Sequence, residues 1–131
     1  MIKQIRVVGA VVLRDGLIMC AQRGSNGTLP GLWEFPGGKI EAGETHHQAL
    51  AREINEELGC SVRVGAEITT TVYEYSFGEV TLTTFYCELV SGEPRTTEHA
   101  ALTWLQPADL NSIEWAPADI PAVNQIQADF A

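Results

Sequence analysis

At 131 residues the chain is the size of one compact domain with room for a substantial core. It carries 8 Lys and Arg against 17 Asp and Glu, a formal net charge of −9, which excludes a nucleic-acid polymer as partner because phosphate backbones are held chiefly by clustered Lys and Arg. No stretch approaches the ~18 apolar residues of a membrane span and the first residues lack a leader-type apolar run, so a single cytoplasmic domain over residues 1–131 is expected, without membrane contact, as a monomer or homodimer.

Residues 5–13 are rich in Val and read as a strand, with residues 17–22 as its partner across the turn Asp15-Gly16. Val7-Val8 and Val11-Val12 make the first strand apolar on both faces, which predicts a central position in the sheet. Residues 24–31 form a glycine-containing connection, and residues 32–38 a short extended piece running into a glycine turn. A helix starts at Glu44-Thr45 and ends at Gly59, where a positive φ is wanted. Residues 61–75 and 79–90 alternate and form a second hairpin around Gly78. A short strand over 102–105, a helical turn over 107–110 and a last helix over 120–130, with Pro121 in its first turn, complete the order β-β-helix-β-β-β-helix. Cys20, Cys60 and Cys87 are odd in number, far apart and without a CxxC spacing, so buried structural thiols are expected.

Three glutamates crowd the first helix. Glu53, Glu56 and Glu57 fall within an arc of about 100° on its wall, and Leu50, Ile54 and Leu58, with Ala51, form a stripe about 110° away, the pattern of a helix packed on a sheet. Like charges at three and four residues apart repel, so the cluster asks for a cation. Carboxylate oxygens suit Mg²⁺, which binds phosphates at the same time, and Mn²⁺ would suit the same ligands. A solvated acidic face is the plain alternative, and the surrounding residues decide between them.

From Gly38 the chain runs five residues to Glu44 and seven more to Arg52-Glu53-Ile54-Asn55-Glu56-Glu57-Leu58-Gly59-Cys60. This resembles the Nudix box, in which a glycine, five residues, a glutamate and seven residues precede Arg-Glu-aliphatic-x-Glu-Glu-x-Gly-aliphatic. The chain departs from it only at Cys60, where a small apolar thiol stands for an aliphatic residue. The resemblance implies an α/β class fold, the Nudix fold, with a mixed β-sheet sandwiched between helices in an α/β/α sandwich. It also implies Mg²⁺-dependent hydrolysis of a phosphoanhydride, for which charge must be neutralised on phosphate oxygens and a water aligned and deprotonated.

In that reading Glu53, Glu56 and Glu57 hold the metal, and whichever carboxylate is not ligated serves as base. The Gly37 carbonyl is a further candidate ligand, since glycine lets the backbone approach closely. Glu98, on a loop ahead of the strand over 102–105, matches the loop where MutT-like members of the family carry a catalytic or metal-binding glutamate. Gly38, Glu44 and Arg52 are supporting residues. Glu44 lies about 180° from Glu53 on the helical wheel, so it braces the glycine loop through backbone N–H groups, and Arg52 pairs with Glu56 at i,i+4.

The chain is similar to the MutT-like subgroup over nearly its whole length, through Gln22-Arg23, residues 33–39, Glu98-His99 and the tail over 115–121. The implied activity is release of a nucleoside monophosphate and pyrophosphate from a nucleoside triphosphate, with Arg23 and Lys39 on the phosphates. Oxidised or cytosine nucleotides are the candidate substrates and nucleotide-pool sanitation the candidate role. Hydrolysis of a dinucleoside polyphosphate or nucleotide sugar, or nucleotide binding without turnover, stand as alternatives. Asp119 takes a position where similar enzymes place Asn. Ionised it is acceptor only and favours an amino-bearing base, whereas burial that protonates it restores a donor; capping the last helix is the other reading. Phe35 and Tyr75, with Trp33, are candidates for a pocket wall or for core. His46, His47 and His99 lack metal-site spacing, which points to surface or packing roles.

Overall fold

Asp15 and Gly16 both adopt positive φ, 54° and 78°, and fold the valine-rich β1 (Gln4–Arg14) back onto β2 (Leu17–Gln22), pairing Leu13 with Ile18. This computed structural model describes residues 2–131. The extended piece after the glycine connection divides into β3 (Trp33–Glu34), which pairs with β2, and β4 (Gly37–Lys39), which pairs with β1. Then follow α1 (His46–Leu58), β5 (Ser61–Tyr75), β6 (Gly78–Ser91), β7 (Ala101–Leu105), 3₁₀ turns at Pro107–Ser112 and Pro117–Asp119, and α2 (Ile120–Asp129).

The sheet runs β3-β2-β1-β6-β5, with β4 also against β1 and β7 against β2. β1 and β6 are parallel from Gln4↔Glu79 to Leu13↔Glu88, and every other pairing is antiparallel, so the sheet is mixed and β1 is central. On one face Val8, Ala10, Val12, Phe85 and Cys87 meet Ala49, Leu50, Ile54 and Leu58 of α1. On the other, Val11, Ile18 and Cys20 meet Ala122, Val123 and Ile126 of α2, together with Leu110 and Trp115. The result is the expected α/β/α sandwich, in which each fully buried aliphatic side chain contributes about 1.5–3 kcal/mol. Cys20, Cys60 and Cys87 are free and buried within it. Among the described residues no helix is long and apolar enough to cross a membrane.

α1 begins at His46, just after the Glu44-Thr45 start that the sequence predicts. Thr45 is the cap: its side chain accepts from the Gln48 N–H and the Gln48 side chain returns to the Thr45 N–H, a capping box. Gly59 closes the helix at φ 66°. Glu44 therefore precedes the helix, and its angle on a helical wheel has no meaning.

Candidate active site

The glycine pair of β4 holds one side of the site. Gly37 sits opposite Gly9 of β1, where a Cβ would run into the Val8 carbonyl, and a Cβ on Gly38 would fall on the Glu53 carboxylate. Only glycine leaves room for both neighbours. Arg52 then gathers the acidic residues. It forks onto Glu44 through Nε (2.6 Å) and Nη2 (2.9 Å), and its Nη1 reaches Glu53 at 2.9 Å and Glu56 at 3.2 Å. Nη2 also donates to the Lys39 carbonyl at 3.1 Å, which ties the helix to the end of β4. The Arg52–Glu56 pair is the expected one, but the dominant partner is Glu44, whose wheel position had set it apart. Glu44 also accepts from the Glu41 N–H at 2.9 Å. Arg52 first, and then that N–H, hold its carboxyl down at about 2.

Glu57 has the opposite environment. Its Oε2 is buried without a hydrogen-bond partner. Burial first, and then the charges of Glu53, Glu98 and Glu34, push its carboxyl up to about 8. Glu98 comes near because its loop is fastened to the end of α1, with the Arg95 N–H on the Leu58 carbonyl (2.9 Å) and the Thr97 hydroxyl on the Glu57 carbonyl (3.1 Å). Glu56 is turned to Arg52 and its side chain is 59% exposed.

Glu53, Glu56 and Glu57 are thus not gathered round one point. Among the described residues no three His, Cys, Asp or Glu side chains stand close enough to hold an ion. Arg52 draws Glu53 and Glu56 to itself. The donor set nevertheless fits a hard divalent cation. It is all oxygen, it includes an orphaned buried carboxylate oxygen, and the Gly38 cradle admits the Glu53 carboxylate where any side chain would exclude it.

Glu57, Glu98, Gly37, Gly38, Lys39 and Arg23 line a cleft of ≈ 560 Å³ that extends along β1 to Ile5, Tyr75, Phe77 and Asp119, with Glu53 behind Gly38 at its edge. Two further lining residues, Glu34 and His99, were not singled out from sequence for the cleft. Glu34 lies between Arg23 (Nη1, 2.8 Å) and His99 (Nε2, 2.8 Å). Burial works to raise its carboxyl, but His99 and Arg23 outweigh burial and hold it below the usual range. The His99 side chain is only 7% exposed, packed rather than at the surface, with a buried Nδ1 that has no partner. The available signal was strand alternation, which sends Glu34 to the face opposite Trp33 and Phe35. Arg23 also donates to the Thr28 carbonyl and hydroxyl, so part of its fork is engaged.

At the far end Asp119 is 5% exposed, and its Oδ1 accepts from the Phe35 N–H at 3.1 Å. It makes no side-chain cap on α2, which overturns the capping alternative. Burial first, and then Glu34, push its carboxyl well above the usual range. Tyr75 stacks on Phe77 (centroids 5.0 Å, planes 7° apart), and its hydroxyl accepts from the Ala118 N–H at 2.8 Å, bracing the turn that carries Asp119. The Phe35 ring is 3% exposed and packs on Trp115 at 4.6 Å, so its side chain belongs mainly to the core while its N–H positions Asp119.

Comparison with known proteins agrees with this architecture. The model of the NUDIX domain matches residues 3–126. The CTP pyrophosphohydrolase of Escherichia coli K12 is 40% identical over 126 residues, 96% of this chain and 93% of that protein. The 8-oxo-dGTP diphosphatase of the same strain is 31% identical over 120 residues, 92% of this chain and 93% of its own. The solution structure of the DNA mismatch repair protein MutT, a Nudix hydrolase from methicillin-resistant Staphylococcus aureus 252, superposes with a TM-score of 0.81 at 50% identity, covering 98% of this chain and 99% of that one. A family match that runs almost from end to end, shared with relatives of the same length, means that the chain belongs to the Nudix family, hydrolases of phosphoanhydride bonds.

Proposed function

We propose that this protein is a Mg²⁺-dependent nucleoside triphosphate pyrophosphohydrolase that releases a nucleoside monophosphate and pyrophosphate, with oxidised or cytosine nucleotides as its substrates. The observation that carries the reading is the Glu57 carboxylate, with an unpartnered buried oxygen, under the charges of Glu53 and Glu98, in a cleft that also holds Glu98 and whose other end carries Asp119. Relatives named for 8-oxo-dGTP and for CTP support the nucleotide class. Glu53, Glu57 and Glu98, with the Gly37 carbonyl, would hold the cation, and Glu56 would join on leaving Arg52. Bound there, Mg²⁺ or Mn²⁺ would neutralise phosphate oxygens and favour an attacking water.

The chain's own residues do the rest. Arg23, through the guanidinium hydrogens not spent on Glu34 and Thr28, and Lys39 neutralise the phosphates. A carboxylate of the Glu53, Glu56, Glu57 and Glu98 group left unligated accepts the proton of the water, and burial next to like charges gives it the proton affinity to do so. Arg52 keeps Glu53 from swinging into solvent. Asp119 reads the base: with Oδ1 occupied by the Phe35 N–H, its other oxygen is left for the base, a donor to a base carbonyl when it carries the proton that burial favours and an acceptor from a base amino group when it is ionised. Tyr75 braces Asp119 and, with Phe77, gives the base an aromatic wall.

A panel of NTPs, dNTPs, 8-oxo-dGTP, dinucleoside polyphosphates and nucleotide sugars, assayed with Mg²⁺ for pyrophosphate and phosphate release, tests the reading. Pyrophosphate from triphosphates at the highest kcat/KM is the expected result. Turnover confined to dinucleoside polyphosphates or nucleotide sugars would overturn it.

A further inference from the structure

The loop that carries Glu98 is fastened on both flanks. Within the loop the Thr96 hydroxyl accepts from the His99 N–H (2.9 Å) and donates to the His99 carbonyl (2.7 Å), while towards β2 the Ala100 N–H donates to the Gln22 carbonyl (2.8 Å) and towards β3 His99 Nε2 meets Glu34 (2.8 Å). Towards α1, the loop takes up carbonyls of the last turn that have no partner within the helix: that of Leu58 through the Arg95 N–H, and that of Glu57 through the Thr97 hydroxyl. The Arg95 bond is made by backbone and is indifferent to the side chain. The Thr97 bond is made by a side chain, and it ends on Glu57, which lines the same cleft as Glu98.

We propose that Thr97 is a positioning residue, whose hydroxyl joins the Glu98 loop to the last turn of α1 and so fixes the spacing of the Glu57 and Glu98 carboxylates for a divalent cation. The inference rests on the reading of Glu57 and Glu98 as ligands. Two carboxylates brought together without a cation repel, and Glu98, exposed on its loop, would relieve that repulsion by moving outward if the loop were untied. The tie from Thr97 opposes this movement, so that the cation meets ligands already near their bound spacing. Groups that orient metal ligands from one bond away change affinity or turnover by about 10–100-fold when removed. A single exposed tie belongs at the lower end of that range.

Thr97→Val keeps the shape and β-branching of the side chain without the hydroxyl, and Thr97→Ser keeps the hydroxyl. Calorimetric titration of Mn²⁺ into the nucleotide-free protein and kcat and KM for the best triphosphate with Mg²⁺ are measured for both variants and the wild type. The expected result for Thr97→Val is Mn²⁺ affinity and kcat each lower by about tenfold, with KM and Tm nearly unchanged and with both losses recovered in Thr97→Ser. Wild-type Mn²⁺ affinity and kcat in Thr97→Val, or a Thr97→Ser as impaired as Thr97→Val, would overturn the proposal alone. A wild type that takes up no Mn²⁺ and cleaves no triphosphate would overturn the assigned function, and this proposal with it.

Discussion

As the proposed cation ligand, Glu57 would couple protonation, folding and cation binding in one side chain. Its folded value of about 8 lies above the ~4.3 of an unfolded glutamate. The stability it lends is therefore complete below the unfolded value and lost as pH rises through about 8. In EDTA, the wild type should lose Tm relative to Glu57→Gln, which has nothing to ionise at this position, from about pH 4.3 up to about 8, with no further loss above it. Parallel melting curves for the two proteins across that window would mean that Glu57 is not perturbed. Cation affinity should move the opposite way, rising over the same window as the carboxylate is freed of its proton. Asp119 allows a second test at this scale. Asn keeps the acceptor for the Phe35 N–H and a donor towards the cleft, but it cannot become an acceptor on that side. Asp119→Asn should keep activity on bases that present a carbonyl and lose about tenfold in kcat/KM on those that present an amino group. Equal kcat/KM ratios in the two proteins across the nucleotide panel would remove Asp119 from base recognition. Both residues could be named from sequence because each stands at a recognisable place in a motif or tail. The surroundings that set their chemistry could not, since those of Asp119 include the Glu34 charge and the Phe35 N–H, more than eighty residues away.

At the scale of elements, the site depends on β4 fitting between β1 and α1. Gly37 and Gly38 look equivalent in the sequence, but their missing side chains serve different neighbours. Gly37→Ala drives a methyl into the β1 backbone and should cost about 3 kcal/mol of stability in denaturant melts. Gly38→Ala meets only the Glu53 carboxylate. It should keep most of the stability while kcat falls by about a hundredfold or more, a split that a purely structural pair of glycines would not give. Elements written by local rules were legible: β1 and β2 through the Asp15-Gly16 turn, and α1 through its apolar stripe and Gly59. The start of α1 was also open to reading, because Thr45 and Gln48 have capping-box spacing, and that would have kept Glu44 off the helical wheel. The division of residues 32–38 into β3 and β4 was not legible, since it follows from pairing with β2 and β1 rather than from its own residues. Nor was the contact of Glu34 with His99, which spans 65 positions.

For the whole molecule, a net charge of −9 makes every added divalent cation a relief of self-repulsion, but only a site bound in the folded state raises the melting temperature in a saturable way. A ligand present at a hundred times its Kd adds about 2.7 kcal/mol. Millimolar Mg²⁺ should therefore raise the Tm of the wild type by several degrees along a saturating curve, EDTA should reverse the rise, and Glu57→Gln should keep only a shallow, unsaturable increase. Identical titrations of the two proteins would assign the effect to general charge neutralisation. The sandwich also settles the fate of its sulfur. Cys20 and Cys87 face opposite sides of the sheet, each with burial pushing its thiol up to about 12, so almost none of either is present as the thiolate that peroxide attacks. With Cys60 also buried and the proposed chemistry assigned to oxygen ligands and the Arg23 and Lys39 cations, no step calls on a thiol, so mild thiol oxidants should leave turnover unchanged.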